Sequence, residues 1–80
     1  MYYVYVIKSI SNNKIYIGHT DNLQKRLLEH NSGYSKATKH SCDWQVIHKE
    51  EYLDRSLAMK REKFLKTGDG RKVLKLKGIT

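Results

Sequence analysis

The chain contains no proline, one cysteine, one tryptophan and one phenylalanine among its 80 residues. A lone Cys42 cannot close an intrachain disulfide or build a cysteine-rich zinc site, so a reducing, cytoplasmic compartment is expected. Long apolar runs are missing too. Nothing approaches the roughly 20 residues needed to cross a bilayer, and Met1 leads straight into Tyr2-Tyr3-Val4-Tyr5-Val6-Ile7 without the basic start of a signal peptide. Membrane spanning and secretion are therefore not expected. Acidic residues are scarce, eight against sixteen Lys and Arg, which leaves a formal net charge of +8. No repeat, low-complexity tract or linker divides the sequence, and residues 1–80 read as a single domain. A domain this short buries only about 60% of the surface its unfolded chain exposes. With no staple available, its stability should be modest.

The charge is unevenly spread. Residues 1–40 carry six basic and two acidic side chains, residues 41–59 two and four, and residues 60–77 eight and two. A basic helix can be no more than a solvated face. An excess this large favours a polyanionic partner, most simply nucleic acid, met by Lys60, Lys63, Lys66, Arg71, Lys72 and Lys75. Charge alone does not separate DNA from RNA.

The β-branched and aromatic run Tyr2 to Lys8 and the segment Lys14 to Gly18 read as two strands of a hairpin. A two-residue turn at Asn12-Asn13 is expected, since Asn tolerates positive φ, and any even-length turn places Tyr5 and Tyr16 on one face. Asp21 with Gln24 resembles a capping box opening a helix over 21–31, with Leu23 and Leu27 inward and Asn22, Arg26 and His30 in a polar stripe. Residues 31–41 read as an exposed loop and Trp44 to His48 as a third strand. Asp54 caps a second helix running to Lys66, with Leu57, Ala58, Phe64 and Leu65 inward and Glu62 bordering the buried stripe. Gly68 ends that helix, and Gly68-Asp69-Gly70 reads as punctuation. A short basic helix over 71–77 follows, anchored by Val73, Leu74 and Leu76. The order is β-β-α-β-α-α, an α/β (α+β) fold.

Among residues able to do chemistry, Cys42 has no signature of a nucleophile. Of the four histidines, only His40 and His48 approach a ligand spacing, and neither has a cysteine pair, which argues against structural zinc. The group that stands out is Tyr5, Tyr16, His19, Arg26, His30 and Glu62, gathered from a hairpin face, a helix stripe and a half-buried acid. Phosphodiester hydrolysis needs a base for the attacking water, positive charge for the phosphorane and relief for the leaving oxygen. Each need has a candidate here. Taken singly, each residue also has an ordinary structural explanation, as sheet packing or a surface ion pair; the coincidence of six argues otherwise.

These residues resemble the GIY-YIG nuclease family, in particular its small stand-alone members related to the catalytic domain of the bacterial excinuclease and to structure-selective nucleases. The resemblance covers nearly the whole chain. It is carried by Tyr3-Val4-Tyr5, Tyr16-Ile17-Gly18, Asp21-Asn22-Leu23, Arg26-Leu27, Glu29-His30-Asn31, Ser56-Leu57-Ala58 and Arg61-Glu62-Lys63. The resemblance implies a three-stranded antiparallel sheet flanked by helices. It implies that Tyr5 and Tyr16 are the paired tyrosines, one of which positions or deprotonates the water, with Gly18 allowing close backbone passage. It further implies that Arg26 contacts the scissile phosphate and that Glu62 holds one divalent cation, Mg2+ or Mn2+. His30 falls at a proton-transfer or leaving-group position, and His19 at a variable position beside the base. The chain departs from the family in opening its first triad on Tyr3 and in Gly68-Asp69-Gly70, which leaves the packing of the last helix open.

The resulting expectation is a metal-dependent DNA endonuclease, structure-selective in repair or recombination, acting on branched or flapped DNA. No sequence-reading module such as a helix-turn-helix is visible, so shape is the expected basis of selection, with further specificity left to a protein partner. Two alternatives stand beside it. One is a catalytically silent nucleic-acid-binding adaptor; the other is an interaction protein docking its basic helix on an acidic partner or anionic lipid.

Overall fold

A computed structural model describes residues 1–36 and 38–79. Three strands, β1 (Tyr2–Ser9), β2 (Ile15–Thr20) and β3 (Trp44–Tyr52), and three helices, α1 (Leu23–Asn31), α2 (Arg55–Leu65) and α3 (Gly68–Leu76), follow in the order β-β-α-β-α-α. The sheet is antiparallel throughout with strand order β2-β1-β3, so the most apolar strand is central and β2 forms a free edge. This is the expected α+β fold, with helices on both faces of the sheet.

Alternation along the strands sorts the core into two layers. Tyr5, Ile7 and Trp44 are buried against Leu23 and Leu27 of α1. On the opposite face, Val4, Val6 and Ile17 are buried against Ala58 and Leu65 of α2 and Leu74 of α3. Each such Val, Ile or Leu side chain contributes about 1.5–3 kcal/mol when fully withdrawn from water. Between Val6 and Ile7 the β1–β3 register slips by one, leaving Ile47 as an extra residue on β3. The bulge keeps Val46 and Trp44 with the α1 layer while Ile47 packs into the other.

The hairpin pairs Tyr5 with Gly18 and Ile7 with Tyr16, placing both tyrosines on one face as expected. Its connection is longer than the expected two-residue turn. Ser9 N–H donates to the Lys14 carbonyl at 2.9 Å, so four residues, Ile10 to Asn13, make the turn. Asn13 takes the positive φ of 60° and Asn12 Oδ1 accepts from Lys14 N–H at 3.0 Å. The longer turn is held open by Asp43, which accepts from the Ser9 hydroxyl at 2.7 Å and from Ser11 N–H at 2.8 Å.

Other boundaries also move. Asn22, not Asp21, caps α1, its side chain accepting from Lys25 N–H at 3.1 Å. β3 continues past His48 to Tyr52, because Glu50 of that polar extension binds Arg61 on α2. Residues 31–41 are not simply an exposed loop: Asn31 ends α1, and Thr38 and Ser41 are buried. In α2, capped by Asp54 as expected, Ala58 and Leu65 face the sheet, but Leu57 and Phe64 lie on its flanks and are exposed. Leu74 anchors α3, whereas Leu76 is 88% exposed.

Gly68-Asp69-Gly70 is not punctuation but the first turn of α3, capped by Thr67, whose hydroxyl accepts from Gly70 N–H at 3.1 Å. A Cβ at Gly70 would lie 2.0 Å from the Phe64 carbonyl oxygen. Glycine there lets α3 press directly onto the end of α2, which fixes where the basic helix lies. Among the described residues, no helix is long and apolar enough to cross a membrane.

Candidate active site

Tyr5 stands on the central strand, and its ring is buried because β1 has neighbours on both sides and α1 above. Its phenol leans over Gly18 on β2. A Cβ at Gly18 would meet Tyr5 Oη at 2.6 Å and the Tyr16 ring at 3.1 Å, so the second triad requires glycine for this approach. The rings of Tyr5 and Tyr16 lie 6.3 Å apart, with the His30 ring 5.7 Å from the first and 4.9 Å from the second.

His30 was expected on a polar stripe with Asn22 and Arg26; Asn22 is the exposed N-cap and Arg26 is half-buried, whereas His30, in the last turn of α1, is completely buried. Its Nε2 lies 2.8 Å from Tyr5 Oη and its Nδ1 lies 2.7 Å from Thr38 Oγ1. Burial and the neighbouring Arg26 charge push its pKa down to about 4, so the ring is neutral at physiological pH. Burial likewise pushes the Tyr5 phenol up to about 12, partly countered by a hydrogen bond from Arg26, while the charges of Tyr16 and Glu62 push it further up. For Arg26, burial lowers the pKa, but contacts with the Tyr5 phenol, Glu29 and the Tyr16 phenol leave it raised. Glu29 Oε1 accepts from Arg26 Nη1 at 3.2 Å, which steadies the guanidinium along α1.

Not all six expected residues share this face. Tyr5, Tyr16, Arg26 and His30 meet on the α1 side of the sheet, whereas His19 and Glu62 meet on the α2 side. His19 alternates with Gly18 along β2 and so points the other way. Its Nδ1–H donates to Glu62 Oε1 at 2.6 Å, and Lys66 Nζ donates to Glu62 Oε2 at 2.9 Å. Glu62 borders the buried stripe as expected. Burial raises its pKa, but the Lys66 and His19 hydrogen bonds outweigh it and hold the carboxyl below its usual value. The two groups communicate around the free edge of β2: Lys66 Nζ sits 5.9 Å from the Tyr16 ring centroid while bonded to Glu62.

Beside this edge lies a cleft of about 720 Å³ lined by Tyr16 together with Lys66, Arg71, Lys72 and Lys75, four of the six expected nucleic-acid contacts. Lys60 and Lys63 are exposed on α2 outside the cleft. Sequence reasoning missed two partners. Thr38 sits in a loop with no periodicity to betray it. The pairing of Lys66 with Glu62 was available from their i, i+4 spacing.

The comparisons with known proteins point the same way as this geometry. Residues 1–74 match the model of the GIY-YIG catalytic domain. A UPF0213 protein of Staphylococcus saprophyticus is 34% identical over 76 residues, covering 94% of this chain and 92% of the relative. A UPF0213 protein of Natronomonas pharaonis is 34% identical over 67 residues, covering 82% and 78% respectively. A third, from Lactiplantibacillus plantarum, is 39% identical over 66 residues, covering 76% and 62%. No solved structure matches significantly. GIY-YIG domains are nuclease domains that act on nucleic acid and generally use a divalent metal. With the domain model covering residues 1–74 and three relatives aligned over most of the chain, the protein belongs to the GIY-YIG family.

Proposed function

We propose that residues 1–80 form a single-domain, metal-dependent DNA endonuclease of the cytoplasm that selects branched or flapped substrates by shape. The observation that carries this reading is the packing of the Tyr5 phenol against His30 and Arg26, with the Glu62 charge near enough to raise it. Arg26 supplies permanent positive charge for a phosphate brought to the tyrosines. Tyr5 or Tyr16 positions the attacking water or removes its proton, and His30 and His19 support proton movement on the two sides of β2. Lys66, Arg71, Lys72 and Lys75 line the cleft that leads to Tyr16, which suits a phosphate backbone entering along the β2 edge.

The donor set fits a hard divalent cation. Glu62 is ionised and its Oε2 already accepts a cationic partner, Lys66. Mg2+ keeps most of its waters and is held by one or two carboxylates together with substrate phosphates, so Glu62 would be its protein ligand. When bound, such an ion neutralises charge on the phosphate and the leaving oxygen. We favour Mg2+ or Mn2+ on this ground.

The test is cleavage of labelled duplex, single-stranded, flapped and branched DNA with Mg2+, Mn2+ or chelator, comparing the parent with Glu62→Ala. Cutting that needs metal, prefers branched substrates and is lost in the variant, with DNA affinity retained, is the expected result. Binding without cutting by either protein would instead establish a silent adaptor.

A further inference from the structure

We propose that Lys66 exchanges partners: it neutralises Glu62 in the free protein, moves to a phosphate when nucleic acid enters the cleft, and so ties cation binding to substrate binding. The inference rests on the reading of Glu62 as the ligand of a divalent cation and gives that cation a resident competitor.

Both oxygens of the Glu62 carboxylate are engaged. His19 Nδ1–H, reaching from β2, holds Oε1 at 2.6 Å, and Lys66 Nζ, four residues further along the chain from Glu62, donates to Oε2 at 2.9 Å. The Glu62 side chain is 17% exposed and set in place by these bonds, whereas that of Lys66 is 48% exposed. Together the two carry no net charge, so the pair exerts little pull on a dication, and two cations on one carboxylate repel each other. Among the described residues, no group of three or more His, Cys, Asp and Glu side chains gathers into a metal site. A single carboxylate has to supply the attraction, and Lys66 cancels it.

Lys66 also has a second acceptor to turn to. It lines the cleft with Arg71, Lys72 and Lys75, and its ammonium lies 5.9 Å from the centroid of the Tyr16 ring. Of these four cations, Lys66 alone is paired with a carboxylate among the described residues. A phosphate brought to Tyr16 offers the ammonium a charge-assisted bond in place of the one to Glu62. An exposed lysine pair is held weakly, so the exchange costs little. Once Lys66 has turned away, Glu62 regains its negative charge beside the phosphate. Linkage makes the effect reciprocal: nucleic acid raises the affinity for the cation, and the cation, by keeping Lys66 off Glu62, raises the affinity for nucleic acid.

The deciding measurement is Mn2+ affinity by electron paramagnetic resonance, for the protein alone and saturated with a hydrolysis-resistant phosphorothioate flap duplex, the Mn2+ held by the duplex itself being subtracted. Glu62→Ala should lose the site, which locates it. Without DNA, Lys66→Gln should bind Mn2+ about three- to fivefold tighter than the parent. Lys66→Arg should match the parent, as should Lys25→Gln, a net-charge control exposed on α1 across the sheet. On the duplex, the gain in Mn2+ affinity should be smaller in Lys66→Gln than in the parent by that same factor. Lys66→Gln binding no tighter than the parent, a Lys25→Gln gain as large, or equal duplex gains in parent and Lys66→Gln would each overturn the proposal, while Glu62→Ala still judges the cation site. If Mn2+ binding follows the expected pattern but the parent cuts no DNA, the nuclease reading falls and the exchange stands. If Glu62→Ala binds Mn2+ like the parent, the cation reading and the exchange fall together.

Discussion

Acidification from pH 7 to pH 5 should weaken the fold through His30. In the unfolded chain an imidazole titrates near pH 6.5, whereas in the native protein burial and the Arg26 charge hold His30 near 4. The folded pKa is depressed, so the unfolded state binds the extra proton across the interval between. Stability is therefore complete above pH 6.5 and falls as the pH drops, at about 1.4 kcal/mol per unit, until the native ring itself titrates. By pH 5 the loss amounts to about 2 kcal/mol, a large fraction of the stability of a small domain. Glu50 does not blur this window. Burial raises its pKa, but hydrogen bonds from Arg61, His48 and Tyr52 hold it near 2. The stability it contributes is present above the ordinary carboxylate range and is lost only as pH falls toward 2. Trp44, the single tryptophan and a buried one, reports unfolding by its fluorescence. Urea titrations of the parent should show the midpoint falling by about 1–2 M between pH 7 and pH 5. His30→Gln, which cannot titrate, should start less stable but lose much less. The remaining histidines are common to both proteins and cancel in the comparison. Equal losses in parent and variant would refute the argument.

Gly70→Ala should destabilise the protein by about 1–3 kcal/mol, read from the same urea midpoints, because its methyl meets the backbone of Phe64 and Leu65 and α3 must retreat. Glu50→Ala strips Arg61, His48 and Tyr52 of a shared acceptor at 2.6–3.2 Å and should cost about 1–3 kcal/mol in the same assay. Lys72→Ala and Lys75→Ala, measured by fluorescence anisotropy over a range of salt concentrations, should each lower the slope of log affinity against log salt by about 0.7–0.9 if each meets a phosphate.

How much of this was legible in the sequence depends on the range over which each feature is determined. Tyr5 and Tyr16 share a face because strands alternate and the connection is even, and both facts are local. Asp54 announces α2 through a side chain that reaches its own helix, accepting from Ser56 N–H at 2.7 Å. Glu62 could be placed at the border of the buried stripe from helical periodicity alone. What was hidden is determined across the fold. Leu57 and Phe64 look as apolar as Leu65, and only the angle at which α2 meets the sheet leaves them outside. Gly70 reads as a helix breaker until Phe64 is found against it. The division of the candidate site between two faces follows from His19 alternating with Gly18, which period-two reasoning contained. The route by which the two halves meet required the strand order, and that came only from the structure. Thr38 lies furthest from prediction, since it sits in a segment without regular structure, eight residues from its partner His30 on α1.

The free edge of β2 restricts how this protein could grow or assemble. Paired strands ordinarily invite another strand alongside, and a fourth laid against β2 would stand between Tyr16 on one side and Glu62 on the other. Insertions, fusions or self-association by strand addition should thus be tolerated next to β3 and be incompatible with function next to β2. On the proposed reading the sheet's narrowness, which in so short a chain looks like economy, becomes a requirement: the nucleic acid would occupy the position that another strand would take.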